Sequence, residues 1–517
     1  MFNSPVEYNL QSRSLLKSAT KQCFSVDCVR NIAPTLREAF RVSQVQRPGP
    51  VFVELPLDIL YPYNIVAEQF NSMSRKPQQV GIALVESKKQ SLITSLKARL
   101  IGAYSNYCLS HIFADAWKER EYDPLPIHVQ QPKPTQVDAV VQALLKARRP
   151  MCIIGSQAML GPHKSTNLAE DVKKIGLPTY LNGSARGLLG PDYSLQFRHA
   201  RKEAIREADC VLLLGAICDF RLSYGKIFKP STKVISINRC GKAARLNAGV
   251  FWNPSITVEA DVASFINILA TRLSKAFPIN CSSTNGPRRE ISTQCKVDQE
   301  WVKKLRQRDD EKDKSIESMA KERTEEYINP LKLLLKLQEV YNGRDSIIVA
   351  DGGDFVASAS YIMKPYGPRR WLDPGPFGTL GCGAGFALAA KLLNPEKEVV
   401  AVMGDGAFGY AIPELDTFVR HNLPVLWLIG NDACWTQIAR EQVPMLGSSI
   451  GCELAHTDYD RVAVGFGANG TKLVNDDDVD KLDAIEKARS DLADSNKTTI
   501  INALIGKTKF RQGSISV

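Results

Sequence analysis

Apolar residues in the middle of the chain form short continuous runs, separated by segments with helical spacing. Met151–Ile154, Val211–Leu214 and Val234–Ile237 are such runs, and apolar residues three or four positions apart occur between them. Runs of about four to eight apolar residues are typical of strands buried on both faces, as in parallel sheets covered by helices. The pattern therefore predicts an α/β fold of doubly wound parallel sheets.

A second series of apolar runs begins after Asn329-Pro330, a pair typical of a helix start because proline suits the first helical position. The predicted strands there are Ile347–Ala350, Val399–Met403 and Val425–Ile429. The polar, glycine-rich segments that follow them are Asp351–Asp354, Gly404–Gly406 and Gly430–Asp432. Ligands of open α/β sheets bind at the carboxyl ends of the strands, so these segments predict a ligand site at one sheet edge.

The same pattern divides the chain into segments. An amphipathic helix over 29–46 and a strand over Val51–Leu55 normally close an α/β domain, yet too few residues precede them to build one. We therefore expect the first domain to be incomplete. The predicted segments are 1–63, the end of an α/β domain; 64–135, a helical connection; 136–274, a central Rossmann-like domain; 275–328, a charged linker with a solvated helix; and 329–517, the ligand-binding domain.

Composition excludes several classes of function. The chain has 517 residues and a formal net charge of +11, but the basic residues are dispersed and no nucleic-acid-binding motif is present, so nucleic acid is not an expected partner. The 12 cysteines include no Cys-x-x-Cys pair, which argues against structural zinc. No apolar stretch reaches the ~18–20 residues that a spanning helix needs.

Two glycines flank Asp405 directly after an apolar strand. Glycines let backbone N–H groups approach a bulky anion, and the positive end of a helix expected over 412–421 also favours phosphate. The Asp405 carboxylate repels phosphate, but it can bind Mg²⁺, which prefers oxygen ligands and bridges to phosphate oxygens. A lone Gly-Asp-Gly, however, also suits an ordinary turn.

Asn431 and Asp432 follow Asp405 after 26 and 27 residues, with one helix and one strand between them. A single β-α-β step brings the two loops to neighbouring strand ends. The oxygens of Asp405 and of Asn431 or Asp432 would then form part of an octahedral magnesium shell. The spacing therefore predicts a site for Mg²⁺ and a diphosphate.

These motifs resemble a known family. Gly404–Asp432 is similar to the thiamine-diphosphate fingerprint of the acetolactate synthase superfamily. The segments that resemble its 2-hydroxyacyl-CoA lyase members are Asp351–Phe355, Trp371–Gly375, Gly378–Gly381 and Gly430–Gln437. The resemblance covers nearly the whole chain and implies three domains: pyrimidine-binding (here 1–63 only), central, and diphosphate-binding.

The resemblance also implies roles for individual residues. Asp405 would ligate Mg²⁺ together with Asp432 or Asn431 and a carbonyl near Cys434; similar enzymes carry asparagine where this chain has Asp432. The residues implied to hold thiamine diphosphate are Asp351, Gly352, Gly353, Asp354, Phe355, Gly378, Thr379, Leu380, Gly404, Asp405, Gly406, Ala407 and Asn431. Among them, the Gly378 carbonyl would meet the aminopyrimidine, and the Leu380 side chain would bend the cofactor into a V.

One expected residue has no counterpart. Similar enzymes activate the cofactor with a glutamate well upstream of the strand that matches Val51–Leu55, a region that would precede Met1. Glu7 and Glu38 do not match its context, and we interpret Glu54, at the end of that strand, as structural. No catalytic residue is therefore expected in this chain, which is a fragment, an alternative product or an impaired enzyme.

The implied activity is cleavage of a 2-hydroxyacyl-CoA to formyl-CoA and an aldehyde one carbon shorter, a reaction of fatty acid α-oxidation. The first alternative is an acetolactate-type carboligase, which Ile217 disfavours because the resemblance implies an arginine there. The second is a non-catalytic chain that binds the cofactor. The third, a nicotinamide dehydrogenase, is disfavoured because no strand directly precedes Gly381–Gly385.

The resemblance further implies partners and location. Gly155–Ala158, Ala185–Gly190 and Gly215–Arg221 are similar to the central domain that holds FAD in acetolactate synthases or an adenine nucleotide in relatives. FAD, an adenine nucleotide and no ligand are the alternatives there. We also expect a homodimer or homotetramer, and a location at the cytosolic face of the endoplasmic reticulum membrane through an N-terminal segment absent from this chain.

Overall fold

The computed structural model describes residues 13–74, 88–161, 164–276, 297–481 and 483–512. Its contacts divide the chain into two compact units, 1–129 and 130–517. No helix in these ranges combines the length and the apolarity that crossing a bilayer requires.

The first unit contains a small parallel sheet and several α-helices. Cys23 pairs with Phe52 in this sheet, and Val66, Leu109 and Phe113 form a small apolar cluster between the helices. Glu7 lies outside the described residues. The elements are β1 (Cys23–Ser25), α1 (Ile32–Gln44), β2 (Phe52–Glu54), α2 (Tyr63–Ser74) and α3 (Lys88–Ile112).

The second unit begins with a six-stranded parallel sheet of order β5-β4-β3-β6-β7-β8. Its central strands are fully buried, as the continuous apolar runs predict. The strands are β3 (Pro150–Ile154), β4 (Thr179–Leu181), β5 (Gln196–Phe197), β6 (Cys210–Leu214), β7 (Lys233–Asn238) and β8 (Ile256–Glu259). The helices are α4 (Pro134–Lys146), α5 (Ser165–Ile175), α6 (Arg201–Glu207), α7 (Gly241–Ala244) and α8 (Val262–Ala276).

The charged linker forms α9 (Gln299–Ala320), which Asp298 caps by accepting from the N–H groups of Glu300 and Trp301. The expectation of a solvated helix is wrong for one of its faces. Trp301 and Leu305 are buried in the core of the central domain, and Ile316 is buried in the core of the next domain. The helix therefore joins two cores.

A second six-stranded parallel sheet follows, of order β10-β9-β11-β12-β14-β13. Asn329 caps its first helix by accepting from the Leu331 N–H, as expected from the Asn-Pro pair. The strands are β9 (Ile347–Asp351), β10 (Trp371–Leu372), β11 (Val399–Gly404), β12 (Leu426–Asn431), β13 (Asn469–Leu473) and β14 (Thr499–Leu504). The helices are α10 (Pro330–Tyr341), α11 (Asp354–Ile362), α12 (Gly383–Leu393), α13 (Asp405–Ala411), α14 (Glu414–Arg420), α15 (Thr436–Leu446), α16 (Tyr459–Gly465), α17 (Asp476–Lys481) and α18 (Ala484–Ser495).

The α/β fold of parallel sheets is thus confirmed, with one local correction. The helix expected over 412–421 is present as α14 (Glu414–Arg420), but a separate short helix, α13, already begins at Asp405 and ends at Ala411, before Pro413. Proline has no N–H to donate to the preceding turn, so one continuous helix is not formed there. Because α13 begins at Asp405, this residue lies at the positive end of a helix.

Candidate functional site

The site lies where three neighbouring strands of the second sheet end. β11 pairs with β9 and with β12, and Gly404 at the end of β11 lies opposite Gly430. A Cβ atom on Gly352, at φ +145°, would lie only 2.7 Å from the Gly404 nitrogen. The loops after β9 and β11 therefore touch through their backbones, and a larger residue at position 352 would separate them.

Asp405 is the first residue of α13 and is 3% exposed. Its Oδ1 accepts from the Gly406 N–H at 2.8 Å, and the Tyr459 hydroxyl donates to its carbonyl oxygen at 3.1 Å. Its Oδ2 is buried and has no hydrogen-bond donor among the described residues. A buried carboxylate oxygen without a partner is costly, so this oxygen suits a bound cation.

Asn431 ends the neighbouring strand and is completely buried. Its Nδ2 donates to the Thr457 carbonyl and to Asn502 Oδ1, both at 3.1 Å. These bonds fix the amide and leave its Oδ1 buried without a donor in the described part of the chain. Asp432 follows, and its Oδ2 accepts from the Thr436 hydroxyl at 2.5 Å.

The carboxyl groups of Asp405 and Asp432 have little compensating positive charge, since only Lys507 acts on Asp432, without forming an ion pair with it. Burial, reinforced by the negative charge of Asp432, raises the pKa of Asp405 to about 7. Burial also raises the pKa of Asp432 to about 6, against the hydrogen bond from Thr436. Neither carboxylate forms an ion pair with a described lysine or arginine. A divalent cation would supply the missing charge, so the donor set fits Mg²⁺.

The set consists of two carboxylates, an amide and backbone carbonyls. No three His, Cys, Asp or Glu side chains within the described ranges meet as metal ligands. Burial raises the pKa of the Cys434 thiol, which favours its neutral form. Only the carbonyl of this residue is suited to a hard cation. The assignment of Asp405, Asn431, Asp432 and Cys434 as metal ligands remains a prediction.

Gly406 and Trp435 form one wall of the site. A Cβ atom on Gly406 would lie 2.3 Å from two carbons of the Trp435 indole. The indole therefore covers the first turn of α13, and the Tyr410 ring lies 6.3 Å from it. Ala407, the other residue expected to contact the diphosphate here, is buried beneath this turn.

The segment at the end of β9 contributes buried side chains as well as backbone groups to the site. Asp351 is fully buried, and its Oδ2 accepts from the Gly383 N–H at 2.7 Å, which ties β9 to the start of α12. Phe355 is buried in the core. Gly353 lies close to Gln437, since a Cβ on the glycine would be 3.3 Å from the glutamine Cβ. The segments after β9 and β12 therefore also meet.

Asp354 is held by two arginines that the sequence did not single out as partners. Arg440 donates to its Oδ2, and Arg511 Nε lies 3.9 Å from its Oδ1. Burial raises the pKa of Asp354, and the two guanidinium groups oppose the shift. No short-range spacing links residues 354, 440 and 511, so only the fold reveals this contact.

The segment Gly378–Leu380 lies at the margin of the site. Gly378 and Thr379 are exposed, and Leu380 packs partly against the core beneath α12 and α13. Two contacts on its C-terminal side fix this segment. Gly381 lies close to the Tyr410 side chain, and the Gly383 N–H donates a hydrogen bond to Asp351 Oδ2. The implied roles of Gly378 and Leu380 toward the cofactor remain predictions.

The fold and this site define a class of enzyme. The protein-family model described as "Thiamine pyrophosphate enzyme, C-terminal TPP binding domain" matches residues 351–503, which contain all three strand ends. The model for the central domain of thiamine pyrophosphate enzymes matches residues 137–269. A solved Rhodococcus jostii RHA1 thiamine diphosphate-dependent 4-hydroxybenzoylformate decarboxylase has the same fold, with a TM-score of 0.64, 16% identity, and coverage of 97% of this chain and 79% of that one. The chain is thus built as a thiamine-diphosphate enzyme.

Its relatives give the family within this class. The chain is 43% identical to 2-hydroxyacyl-CoA lyase 2 of Danio rerio, over 98% of this chain and 76% of that protein. It is 42% identical to 2-hydroxyacyl-CoA lyase 2 of Homo sapiens, over 98% of this chain and 74% of that protein. The acetolactate synthase large subunit of Mycobacterium tuberculosis is 30% identical, over 79% of this chain and 70% of that protein. The chain belongs to the 2-hydroxyacyl-CoA lyase 2 family, and the resemblance inferred from its motifs is confirmed.

The comparisons leave part of the cofactor prediction open. The matched domains support thiamine diphosphate as the cofactor, whereas FAD in the central domain is not supported. An adenine nucleotide in the central domain remains a prediction.

Proposed function

We propose that this protein is a thiamine-diphosphate-dependent carbon–carbon lyase that cleaves a 2-hydroxyacyl-CoA into formyl-CoA and an aldehyde one carbon shorter. The identity of 43% to 2-hydroxyacyl-CoA lyase 2 over nearly the whole chain carries this proposal. The fit of Asp405 and its neighbours to a magnesium–diphosphate group supports it. Assignment of the reaction to fatty acid α-oxidation belongs to the same proposal.

The strand ends would hold the cofactor by its diphosphate. Asp405 Oδ2, Asn431 Oδ1 and the Asp432 carboxylate would supply oxygens for Mg²⁺, and the N–H groups at the start of α13 would be available to the phosphates. Bound thiamine diphosphate would supply the electron sink that cleavage beside a carbonyl group requires. The protein's contribution is orientation and charge balance.

Two further features of the site support this assignment. Arg440 partly neutralises Asp354, a carboxylate that would otherwise repel a diphosphate at the adjoining loop. Trp435 packs against Gly406 and would shield the start of α13 from water. Exclusion of water strengthens electrostatic interactions within a site.

A product assay tests the proposal. Purified protein is incubated with Mg²⁺, thiamine diphosphate and a 2-hydroxyacyl-CoA, and the products are identified by mass spectrometry. We expect formyl-CoA and the shortened aldehyde in equal amounts. Formation of acetolactate in a parallel incubation with pyruvate, with no carbon–carbon cleavage of the 2-hydroxyacyl-CoA, would instead establish the carboligase alternative.

A second experiment separates a lyase from a chain that only binds the cofactor. Hydrogen–deuterium exchange at C2 of thiamine is followed by NMR with and without the protein. Acceleration is expected of a lyase, because the cofactor must lose this proton before it reacts. Binding without acceleration would establish the non-catalytic alternative.

We also propose that the protein forms a homodimer or homotetramer. Large apolar side chains are exposed on the diphosphate-binding domain, among them Phe377 at 87%, Leu393 at 82% and Ile450 at 83%. Exposed apolar surface of this kind is typical of subunit interfaces. Sedimentation equilibrium tests this proposal, and a monomer at micromolar concentration would contradict it. The location at the endoplasmic reticulum membrane stays a prediction.

A further inference from the structure

The residues that follow β14, which we call segment 505–512, begin beside the candidate metal site. β14 pairs with β12 as far as Leu504 and Asn431. The Ile505 N–H then donates to the Asn431 carbonyl at 3.0 Å. The segment is therefore fixed through its backbone to the strand end that supplies a predicted metal ligand.

Arg511 of this segment is buried against the helix that starts at the site, with only 2% of the residue exposed. Its guanidinium group lies 5.2 Å from the centre of the Tyr361 ring, and its Nε lies 3.9 Å from Asp354 Oδ1. The Phe510 ring meets the Tyr361 ring edge-on at 5.6 Å. Asp354 is the first residue of α11 and Tyr361 is its last but one, so segment 505–512 contacts both ends of this helix.

A second arginine contacts the same carboxylate. Arg440 of α15 donates to Asp354 Oδ2, whereas Arg511 lies nearest to Oδ1. The side chains of Asp354, Arg440 and Arg511 are 18%, 16% and 3% exposed. Charges with so little access to water interact more strongly than charges on an open surface. The three residues belong to the segments after β9, β12 and β14, so their contacts connect three strand ends of one sheet.

Asp354 acts on the candidate metal site through its charge. Burial is the main cause of the raised pKa of Asp432; the negative charge of Asp354 raises it further, and Lys507 lowers it. A carboxylate in this position would also repel a diphosphate unless cations offset its charge. Arg440 and Arg511 place two positive charges beside the single negative charge of Asp354, and together they convert a repulsive group into a cationic cluster.

The same contacts hold the loop that precedes α11. A Cβ atom on Gly352 would lie only 2.7 Å from the Gly404 nitrogen, so the loop after β9 has little room beside the end of β11. Asp354 follows this loop directly. Displacement of the Asp354 side chain from its arginines would therefore move the backbone that lies next to Asp405.

We infer that Arg511 is a positioning residue of the cofactor site, which holds Asp354 in place and, with Arg440, offsets its charge so that the diphosphate of thiamine diphosphate can bind. Segment 505–512 is then part of the cofactor site, although the match to the thiamine pyrophosphate domain model ends at residue 503. The inference rests on the proposed cofactor but is independent of the substrate that is cleaved.

Calorimetry tests the inference without any turnover. Thiamine diphosphate is titrated in the presence of Mg²⁺ into the full chain and into the variants Arg511→Gln and Lys509→Gln. Lys509 is an exposed residue of the same segment, and its substitution removes the same charge. We expect Arg511→Gln to weaken binding about tenfold, the effect of one interaction with a charged group, and Lys509→Gln to have no effect. Equal affinity of a folded Arg511→Gln protein and the wild type would overturn the inference.

The conservative variant Arg511→Lys separates charge from packing. The contact of Arg511 with Asp354 is a single approach and not a bidentate pair, so a lysine ammonium group should replace its charge. We expect Arg511→Lys to recover most of the affinity that Arg511→Gln loses. A loss as large as that of Arg511→Gln would show that the residue only fills space, which contradicts the inference.

A double-mutant cycle tests whether Arg511 acts through Asp354. In the Asp354→Asn background no carboxylate remains to be offset, so the additional loss caused by Arg511→Gln should fall to about twofold or less. An undiminished tenfold loss in that background would show that Arg511 acts on the diphosphate by itself, and the positioning role would be refuted.

Hydrogen exchange of the wild-type protein gives a test that needs no variant. Binding of thiamine diphosphate with Mg²⁺ should slow amide exchange in peptides that cover residues 505–512, because a ligand stabilises the segments that form its site. Protection of the start of α13 without any change in segment 505–512 would overturn the inference alone. A wild-type protein that does not bind thiamine diphosphate at all would overturn the proposed function as well.

Discussion

At the scale of single residues, Asp405 combines a functional and a destabilising role. Its carboxylate is buried beside that of Asp432, and burial raises its pKa to about 7 from an ordinary value of roughly 3.9. An acid whose pKa is raised in the fold destabilises it once the group ionises. The destabilisation grows as the pH rises from about 4 to about 7 and is complete above that range.

We therefore expect Asp405→Asn to stabilise the metal-free protein. The free energy of unfolding in urea with a chelator should rise by about 2–4 kcal/mol at pH 8, and the gain should nearly disappear at pH 4. Asp416→Asn, an exposed aspartate on α14, serves as the control and should change little. A loss of stability in Asp405→Asn at pH 8 would show that the carboxylate has a partner already.

Gly406 gives a second prediction at this scale. Its missing side chain makes room for Trp435, so Gly406→Ala should displace the indole and lower the free energy of unfolding by about 1–3 kcal/mol. Gly409→Ala on the same helix meets only the Tyr459 hydroxyl at 3.9 Å and should be neutral or slightly stabilising. Urea denaturation compares the two, and equal effects would contradict the proposed packing.

The sequence predicts which residues lie at the strand ends, but it does not predict which other residues their side chains contact. The spacing of Asp405, Asn431 and Asp432 predicts neighbouring loops, because a β-α-β step fixes which strand ends meet. The contacts of Trp435 with Gly406, and of Arg440 with Asp354, depend on how separate elements pack. No periodicity encodes such contacts.

At the scale of elements, α9 shows why a charged segment need not be solvated. Asp309 accepts from the N–H groups of Arg198 and His199, and Asp313 binds the side chains of the same two residues. Composition alone does not reveal the narrow apolar face of this helix, because most of its residues have long charged side chains. The sequence predicts a helix in this segment, but it does not predict that the Asp309 carboxylate is buried or that Asp313 contacts Arg198 and His199.

The contact of Asp313 with Arg198 and His199 can be tested through the pH dependence of the free energy of unfolding. Burial raises its pKa, but the hydrogen bond with His199 and the charge of Arg198 outweigh burial and lower it to about 2. Its stabilising contribution is therefore present above about pH 4 and is lost as the pH falls toward 2. Asp313→Asn should lower the free energy of unfolding by about 1–2 kcal/mol at pH 6, since the group is about one-third exposed.

The same comparison at pH 3 should show a smaller difference between Asp313→Asn and the wild type. Asp310→Asn, at an exposed position of the same helix, is the matched control. A difference that is constant from pH 6 to pH 3 would show that Asp313 acts through packing instead of charge.

At the scale of the whole molecule, most of the α/β fold was predictable because buried parallel strands leave an unambiguous apolar pattern. Such runs marked β3, β6, β7, β9, β11 and β12, and short or mixed strands such as β5 and β13 went unrecognised. The order of strands in each sheet was also beyond the sequence, because it depends on contacts between distant segments.

The central claim is that Mg²⁺ held at Asp405 and its neighbours binds the diphosphate of thiamine diphosphate. Titration calorimetry of thiamine diphosphate into the protein, with Mg²⁺ or with a chelator, tests it most directly. We predict saturable binding only with Mg²⁺, weakened about a hundredfold or more in Asp405→Asn and unchanged in Asp416→Asn. Equal affinity with and without Mg²⁺, or wild-type affinity in Asp405→Asn, would contradict the account.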